Sequence, residues 1–385
     1  MRRAHPLGRP RHRWLLAAVS LLVCSVAIAD DDSIVPAIDA RAYVLVDATS
    51  GAVLAASAAD QPLNPASLTK LMTAYLVFEA LENGRLALDD LVRVSEKAWR
   101  ATGSRMFIEV DSDVVVSDLL RGLIIQSGND AAIALAEHLA GSEDAFVERM
   151  NETAATLGMT GSHFRNTTGL PASGHVSTAN DLALLARVLI DDYPQYYSLY
   201  SEREFTFNQI TQHNRNSLLW RDGGVDGLKT GYTSAAGYCL VSSATRDGMR
   251  LIAVVLGAST AAQRAAGSQA LLDYGFASFE THKIYSKGQA LAEAKVWKGS
   301  DDTLSLGLDR DLYVTVPRGR YDALAATMAL HANLVAPIAA FEPVGEVELS
   351  LGDQVLSVLP LVALDTVDEG WLLTRVADGI ALWFE

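Results

Sequence analysis

An apolar helix that begins with a lysine is the feature that most constrains the fold of this 385-residue chain. The segment PASLTK, residues 65–70, runs directly into LMTAYLVFEAL, which contains a single charged residue. A lysine at the start of such an apolar helix is costly unless its charge is compensated or removed. Because residues three positions apart share a helix face, Ser67 and Lys70 point the same way. The sequence therefore predicts a helix over residues 66–81 that brings a hydroxyl and an amine together.

Ser67 and Lys70 suggest a nucleophile that has its own base. A free lysine has a pKa of about 10.4, but burial among apolar side chains disfavours the cation and lowers that pKa. A neutral amine accepts the proton of a nearby hydroxyl, and the unpaired amides at a helix start can hold the resulting oxyanion. Taken alone, the pattern also fits a serine that caps the helix and a lysine whose amine reaches water.

Two further short patterns carry polar side chains. Ser127 and Asn129, in the sequence SGN, lie between two predicted helices, where a turn presents a hydroxyl and an amide to a cleft. The sequence KTG lies on a predicted strand, in which Lys229 offers a cation and Thr230 a hydroxyl. Gly231 then leaves room for a substrate backbone at the strand edge. In isolation, these patterns fit a capped turn and an edge strand with a solvated lysine.

The three patterns Ser-x-x-Lys, Ser-x-Asn and Lys-Thr-Gly each occur once, in this order. Together they form the signature of serine enzymes that react with penicillin. The chain resembles the low-molecular-mass penicillin-binding proteins that are D-alanyl-D-alanine carboxypeptidases. The resemblance covers nearly the whole chain and includes the longer segments RGLIIQSGNDAAIALAEHLAGSEDAFVERMN, EFTFNQITQHNRNSLLW, VDGLKTGYTSAAGY and LLDYGFASFETH.

The resemblance implies both a fold and a reaction. The expected fold is an α/β (α+β) catalytic domain of the transpeptidase and β-lactamase type, with an antiparallel sheet and a helical cluster. Predicted strands, then helices, then strands along the chain favour the same architecture. The implied enzyme removes the terminal D-alanine from peptidoglycan stem pentapeptides through an acyl-enzyme on Ser67. It needs no cofactor, and β-lactam antibiotics inhibit it covalently.

Carried over to the matching positions, the resemblance assigns roles to individual residues. Ser67 is the nucleophile and Lys70 its base, while Ser127 and Asn129 line the catalytic site. The residues expected to bind the substrate are Lys229, Thr230, Gly231, Tyr232, Arg264 and Arg215. The lysine, the threonine and the arginines would bind a terminal carboxylate, because an arginine fork can hold two oxygens. The backbone N–H groups of Ser67 and Tyr232 would form the oxyanion hole.

Some positions depart from the family pattern. Where certain members have a histidine before a Gly-Leu pair, this chain has Thr168, and no role is predicted for the flanking His163 and His175. The residue after KTG is Tyr232, so its amide rather than its side chain is expected to take part. Asp181 resembles a family acid beside the cleft, although a position at a helix N-terminus explains it equally well.

Composition divides the chain into four predicted parts: a signal peptide (1–29), a catalytic domain (30–282), a β-rich domain (283–365) and an amphipathic tail helix (366–385). The first part has five arginines, then the apolar run WLLAAVSLLVCSVAIA with a small-x-small end, which is typical of a secretory leader. An uncleaved anchor is the alternative. The third part has short alternating runs with Gly and Asp turns and no convincing catalytic set.

The tail is predicted to contact a membrane surface. On a helix its residues separate into two sides. The apolar side has Leu372, Val376, Ile380 and either Trp383 or Phe384, and the polar side has Thr374, Asp378 and Glu385. Terminal aromatics suit a membrane interface, whereas packing on the β-rich domain is the alternative, because Arg375 is the single cation of this helix. With the leader, this predicts an exported, periplasmic protein attached peripherally to the outer face of the inner (cytoplasmic) membrane.

Charge and composition argue against several other classes. Without the leader, 26 basic residues face 46 acidic ones, a formal net charge of −20, so nucleic-acid binding is not expected. The eight histidines show no ligand spacing with Cys, Asp or Glu, so no metal is expected. Cys239 would be the single thiol after cleavage and cannot form an internal disulfide, so the core must hold the fold.

Three alternative functions remain. A β-lactamase shares the three patterns but must hydrolyse its acyl-enzyme quickly, and no Glu-x-x-Leu-Asn segment lies between Ser127 and Lys229. An endopeptidase that cuts peptide cross-links differs in pocket shape rather than in catalytic residues. A non-catalytic wall-binding protein would require damaged motifs, whereas all three are intact.

Overall fold

The computed structural model of the protein describes residues 35–383. The predicted leader and the last two residues of the predicted tail, Phe384 and Glu385, lie outside the described residues. The α-helices within this range are α1 (Lys70–Glu82), α2 (Glu96–Trp99), α3 (Val116–Arg121), α4 (Asn129–Ala140), α5 (Glu143–Leu157), α6 (Ala179–Asp192), α7 (Pro194–Tyr197), α8 (Leu218–Arg221), α9 (Ala261–Ser278) and α10 (Leu372–Ala381).

The strands fall into two groups along the chain. Those of the larger domain are β1 (Ala42–Asp47), β2 (Val53–Ser57), β3 (Leu91–Arg93), β4 (Asp113–Val115), β5 (Glu204–Phe207), β6 (Ile210–His213), β7 (Val225–Thr233), β8 (Gly237–Arg246) and β9 (Met249–Ala258). Those of the smaller domain are β10 (Phe279–Tyr285), β11 (Ala292–Trp297), β12 (Thr303–Gly307), β13 (Leu312–Pro317), β14 (Leu324–Leu330), β15 (Leu334–Val335), β16 (Pro343–Leu351) and β17 (Gln354–Ala363).

A five-stranded antiparallel sheet in the order β2-β1-β9-β8-β7 runs through the larger domain. Its strand β9 is apolar on both faces, because successive side chains point to opposite sides of a strand. Ile252, Val254 and Leu256 belong to one core cluster, and Leu251, Ala253 and Val255 to the other. Helix α9 covers the second cluster, and α1, α4 and α6 share the first with the sheet. The predicted fold class, a sheet with a helical cluster, is confirmed.

Helix α1 lies in the middle of the helical cluster. Eleven of its 13 residues are buried. The predicted helix over residues 66–81 begins as a 3-10 turn, Ala66–Thr69, and continues as α1. The chain leaves the helix through Asn83 and Gly84, and the positive φ of 66° at Gly84 is a conformation that glycine adopts without strain. Burying α1 also buries the lysine at its start.

The smaller domain is mostly β, as predicted, and has a hydrophobic core of its own. Six of its strands form a sheet in the order β14-β16-β17-β12-β11-β15, and β10 pairs with β13. Strand β10 pairs from Phe279↔Pro317 onward, so the proposed boundary after residue 282 falls inside it. In the structure, the larger domain ends with α9 at Ser278, a few residues earlier.

A buried carboxylate joins the two domains. Asp47, at the end of β1, is fully buried and accepts hydrogen bonds from the Ser50 backbone N–H at 2.7 Å and its hydroxyl at 2.8 Å. Its second oxygen accepts from the Thr281 hydroxyl of β10 at 2.8 Å. Thr315 of β13 lies 2.8 Å from that same hydroxyl. These contacts fix the β1–β2 turn against the smaller domain.

The C-terminal helix α10 contacts the smaller domain on one side. The Asp378 carboxylate accepts a hydrogen bond from the Lys298 N–H at 2.6 Å. Trp371, Leu372 and Val376 are exposed. Within residues 35–383, no helix has both the length and the apolar character needed to cross a bilayer.

Replacing Asp47 with alanine should weaken the junction between the domains. The partly buried Ser50 and Thr281 donors would lose their acceptor, which costs about 1–3 kcal/mol of the free energy of unfolding. Urea denaturation followed by tryptophan fluorescence measures this loss. Asp311→Ala, which removes the exposed ion pair with Lys283, is the control and should leave the free energy of unfolding nearly unchanged. Equal losses in the two variants would contradict the role given to Asp47.

Candidate active site

Ser67 lies on the 3-10 turn that precedes α1. The turn begins at Ala66, whose φ is +49°, and the Ser67 side chain is half-buried. Its Oγ is 3.2 Å from the Nζ of Lys70. The tighter winding of a 3-10 turn stacks residues three apart almost directly above each other. The sequence therefore places the hydroxyl and the amine in contact, as predicted.

Lys70 has almost no contact with solvent. The residue is 1 % exposed. Its Nζ donates to Asn129 Oδ1 at 2.6 Å and to the Thr168 carbonyl at 2.7 Å. Burial lowers the pKa of Lys70 from 10.5 to about 7, with smaller opposing effects of Asp130 and Arg215. Near neutral pH, a substantial fraction of this lysine is therefore an uncharged amine.

The hydrogen-bond partners of Lys70 leave the lone pair of its neutral amine free for Ser67. A neutral amine has two N–H groups and one lone pair. Asn129 Nδ2 donates to the Thr102 carbonyl at 2.6 Å, which turns Oδ1 toward Lys70. That amide oxygen and the Thr168 carbonyl accept hydrogen bonds but cannot donate them, so they use both N–H groups. The lone pair then faces Ser67 Oγ–H, which is the orientation that a general base requires.

The Ser127 turn brings a second hydroxyl into this region. A π-helical segment, Gly122–Gln126, ends at Ser127, whose φ of +65° is left-handed. The following Gly128 donates its N–H to the Gly122 carbonyl at 2.8 Å, which closes the turn. The buried Ser127 Oγ has no hydrogen-bond partner among residues 35–383. Since buried hydroxyls are nearly always paired, this oxygen is available to a bound substrate.

Asp130, which sequence reasoning missed, holds a loop beside this turn. Its carboxylate accepts hydrogen bonds from the backbone N–H groups of Met106 at 3.0 Å and Phe107 at 2.9 Å. Arg215 links this loop to the Ser127 turn, because it donates to Ser104 Oγ at 3.1 Å and to the Gln126 carbonyl at 3.2 Å. Arg215 is exposed at the rim. The contacts of Arg215 are those of a supporting residue.

The KTG segment lies on β7, which is the edge strand of the five-stranded sheet. A Cβ on Gly231 would lie 3.1 Å from the backbone N of Ser67 and 3.1 Å from the Cβ of Ala66. The glycine therefore allows the strand to approach the turn that carries the nucleophile. The sequence predicted a close approach at Gly231, and in the structure the neighbouring backbone is that of the protein itself.

Lys229 and Arg264 form a cationic region that has no acidic partner among the described residues, 35–383. Lys229 is 2 % exposed, and its Nζ donates to the Thr230 carbonyl at 3.1 Å. Burial, with repulsion from Lys70, Arg215 and Arg264, holds its pKa well below the ordinary value. Arg264 is buried above the Tyr238 ring, and its Nε has no partner in the described part of the chain. An anion bound here would stabilise the charged forms of Lys229 and Arg264.

Thr168 contributes its backbone rather than its side chain. Its carbonyl accepts from Lys70, and Ser67 Oγ lies 3.5 Å from the same oxygen. The next residue, Gly169, has a φ of +83°, and a Cβ there would lie 1.8 Å from the Ala66 carbonyl oxygen. Sequence reasoning noted Thr168 as a departure from the family pattern but found no role for it, because a backbone carbonyl leaves no mark on residue identity.

The flanking histidines and Asp181 have structural contacts. His175 lies 2.9 Å from Thr69 Oγ1 and accepts from the Arg165 N–H at 3.3 Å, and burial lowers its pKa to about 4. His163 is held in an isolated β-bridge to Val176. Asp181 lies in the first turn of α6, where it accepts from Gly161 N–H at 3.0 Å and Ser162 Oγ at 2.6 Å. This favours the helix N-terminal explanation for Asp181.

The Tyr232 side chain is not one of the buried residues of the site. The side chain is half-exposed and stacks on Tyr238, with ring centroids 4.3 Å apart. Because β7 is an edge strand, alternate backbone groups on its outer side are unpaired by the sheet. The assignment of the Tyr232 amide to an oxyanion hole stays a prediction.

The fold and this cluster define a serine acyl-transferring domain of the penicillin-recognising type. The family model described as D-alanyl-D-alanine carboxypeptidase matches residues 29–260. A second, described as Penicillin-binding protein 5, C-terminal domain, matches residues 279–369. The chain belongs to the D-alanyl-D-alanine carboxypeptidase family, which confirms the predicted resemblance.

Relatives and solved structures extend this similarity to both domains. The chain is 44 % identical to D-alanyl-D-alanine carboxypeptidase DacA of Escherichia coli strain K12, covering 96 % of this chain and 95 % of the relative. Penicillin binding protein 5 from Haemophilus influenzae superposes with a TM-score of 0.84 at 42 % identity, over 87 % of this chain and 99 % of that one. Penicillin-Binding Protein D2 from Listeria monocytogenes, in its ampicillin-bound form, matches at 34 % identity with a TM-score of 0.58, over 63 % of this chain and 98 % of that one.

The rate of acylation should rise with pH through about 7, because only the neutral form of Lys70 can take the Ser67 proton. Below that pH the amine is protonated and the rate should fall roughly tenfold per pH unit. Stopped-flow measurement with a fluorescent penicillin at saturating concentration gives the profile. Lys70→Met should leave only a slow, pH-independent rate. A wild-type rate that is flat across this range would contradict the assignment of Lys70 as base.

Proposed function

We propose that this chain is a serine-type D-alanyl-D-alanine carboxypeptidase that removes the terminal D-alanine from peptidoglycan stem pentapeptides. The observation that carries the proposal is the buried Lys70 amine, 3.2 Å from Ser67 Oγ and with a pKa of about 7. This contact supplies an activated serine without a histidine or a metal. Family membership supports the substrate, since the relatives carry this activity in their names.

Acylation begins when Ser67 Oγ attacks the carbonyl carbon between the last two D-alanines. The Ser67 proton passes to Lys70 Nζ as the new C–O bond forms. The C–N bond then breaks, and the leaving amine takes a proton that Lys70 returns through the Ser127 hydroxyl. The unpaired Ser127 Oγ supports this relay. Water attacks the resulting ester, giving the shortened peptide and free Ser67.

The cationic region accounts for recognition of a C-terminal residue. Lys229, Arg264 and the Thr230 hydroxyl would bind the terminal carboxylate, and Arg215 would add positive charge from the rim. The absence of acidic partners for these cations within residues 35–383 supports an anionic ligand. A β-lactam carries both a carboxylate and a reactive amide, so it should acylate Ser67 in the same way.

We further infer that the protein is exported and attached to the outer face of the inner membrane by α10. The tail has two sides, which supports a contact with a membrane as well as with the smaller domain. Asp378 faces Lys298 of that domain. Trp371 is 89 % exposed, Leu372 72 % and Val376 55 %. Exposed apolar side chains on one side of an interfacial helix bind by insertion among lipid headgroups.

Ser67→Ala should abolish labelling by fluorescent penicillin and the loss of one D-alanine from a pentapeptide, measured by mass spectrometry. The variant removes the single atom that forms the ester, so about a 10⁴-fold loss or more is expected. Ser198→Ala, an exposed hydroxyl, is the matched control and should keep full activity. Labelling that persists in Ser67→Ala would refute the nucleophile. Cleavage of a cross-linked dimer instead of the pentapeptide would indicate an endopeptidase, and sustained rapid β-lactam turnover a β-lactamase.

Charges placed on α10 should release the protein from lipid. Leu372→Asp with Val376→Asp should lower binding to vesicles of phosphatidylethanolamine and phosphatidylglycerol at least about tenfold, because each buried apolar side chain contributes about 1.5–3 kcal/mol. Co-sedimentation of the mature chain measures this. Val358→Asp, at a side chain 50 % exposed in β17, is the matched control. If the tail variant binds as well as this control, attachment through α10 is wrong.

A further inference from the structure

The Thr168 carbonyl, which accepts a hydrogen bond from Lys70, lies in a segment without regular secondary structure. Residues 165–168 form bends rather than a helix or strand, so no backbone ladder fixes this carbonyl. Its position depends on side chains that hold its neighbours. Asn166 Oδ1 accepts from the Gly169 N–H at 2.7 Å on the outer side. The inner side is held through Thr167.

Thr167 is held at both of its backbone groups. The Glu143 carboxylate accepts from the Thr167 N–H at 3.0 Å and from the Thr167 hydroxyl at 2.8 Å, through one oxygen. The Thr167 carbonyl accepts from Thr73 Oγ1 at 2.9 Å, and Thr73 is on the buried face of α1. Thr167 is itself fully buried. These three hydrogen bonds connect the start of α5 and the middle of α1 to the residue before Thr168.

Glu143 is a buried carboxylate with a complete set of partners. It lies in the first turn of α5, whose N-cap is Ser142. Its second oxygen forms an ion pair with Lys97 of α2 at 2.8 Å. Burial alone would raise the pKa of Glu143, but the hydrogen bonds from Lys97 and Thr167 outweigh it and hold that pKa below its ordinary value. A charged group inside a domain is costly unless it is fully paired, and the known chemistry at Ser67 does not use this one directly.

We propose that Glu143 is a positioning residue for acylation, which holds the Thr168 carbonyl against Lys70 by fixing Thr167. The proposal rests on the roles proposed above for Ser67 and Lys70. With the carbonyl in place, both N–H groups of the neutral amine are occupied and its lone pair faces Ser67 Oγ. When Thr167 is released, the carbonyl moves and the amine turns away from the serine. The binding groups for the substrate carboxylate lie on β7 and α9 and are not affected.

The test separates the acylation rate from affinity in the full mature chain. Stopped-flow labelling by a fluorescent penicillin gives the limiting acylation rate and the concentration for half-saturation. Glu143→Leu should lower the limiting rate by about tenfold to a hundredfold, because small displacements of catalytic groups have effects of this size. The half-saturation concentration should stay within about twofold, since the carboxylate site is intact.

Two variants distinguish positioning from general destabilisation. Glu143→Gln keeps an oxygen for the Thr167 N–H and hydroxyl, so it should retain the rate within about threefold although it loses the ion pair with Lys97. Met150→Ala, on the same helix and fully buried, should lower the unfolding midpoint but not the acylation rate of the folded protein. A Glu143→Leu rate equal to that of the wild type would overturn the proposal. So would equal losses of rate in Glu143→Leu and Met150→Ala.

A second variant keeps the proposal testable if Glu143→Leu does not fold. Thr73→Val removes the other hold on Thr167 with little change of shape, and it should lower the limiting acylation rate with unchanged half-saturation. An unchanged rate in Thr73→Val would count against the positioning of Thr167. The Ser67→Ala control separates this result from the proposed function: if Ser67→Ala is still labelled, the nucleophile is wrong whatever Glu143 does. Slow labelling of Ser67 in Glu143→Leu would keep the function and support the positioning role.

Discussion

The rest of the site depends on the burial of one lysine amine, Lys70, which has no carboxylate hydrogen-bond partner in the part of the chain that the structure describes. Had Lys70 paired with an acid, its charge would be stabilised and it could not act as a base near neutral pH. Its two acceptors, Asn129 Oδ1 and the Thr168 carbonyl, are both neutral. They satisfy the amine without holding a proton on it. The apolar sequence of α1 supplies the burial, and the surrounding segments supply neutral oxygens.

Three distant parts of the chain meet at this amine because each can approach closely. The edge strand β7 reaches the Ser67 turn at Gly231, where a side chain would press on the Ser67 backbone. The 165–169 segment reaches the same turn at Gly169, where a Cβ would overlap the Ala66 carbonyl. The Ser127 turn enters from between two helices of the cluster. Each approach depends on a backbone conformation or a missing Cβ, so it tolerates little substitution.

The sequence predicted the parts of the site that side chains carry. Ser67, Lys70 and Asn129 were found from motif spacing, and the structure brings them within hydrogen-bond distance. The sequence did not predict the role of the Thr168 carbonyl as an acceptor for Lys70, since every residue has a backbone carbonyl. The sequence did not indicate a role for Glu143 for a related reason, because Glu143 acts on the site through the backbone of Thr167, 24 positions away. The domain boundary was displaced into β10 because a strand that follows a helix directly leaves no loop to mark the change.

The two buried lysines of the site have opposite charge requirements, and their different partners satisfy them. Lys70 acts when neutral, whereas Lys229 needs its charge to bind a carboxylate. Burial, with a smaller contribution from repulsion by Lys70, lowers the pKa of Lys229, and burial is also the main cause of the lowered pKa of Lys70. A bound substrate carboxylate stabilises the cation at Lys229, next to Arg264. Lys70 instead keeps two neutral acceptors, Asn129 Oδ1 and the Thr168 carbonyl, so its buried amine stays available as a base while Lys229 is charged.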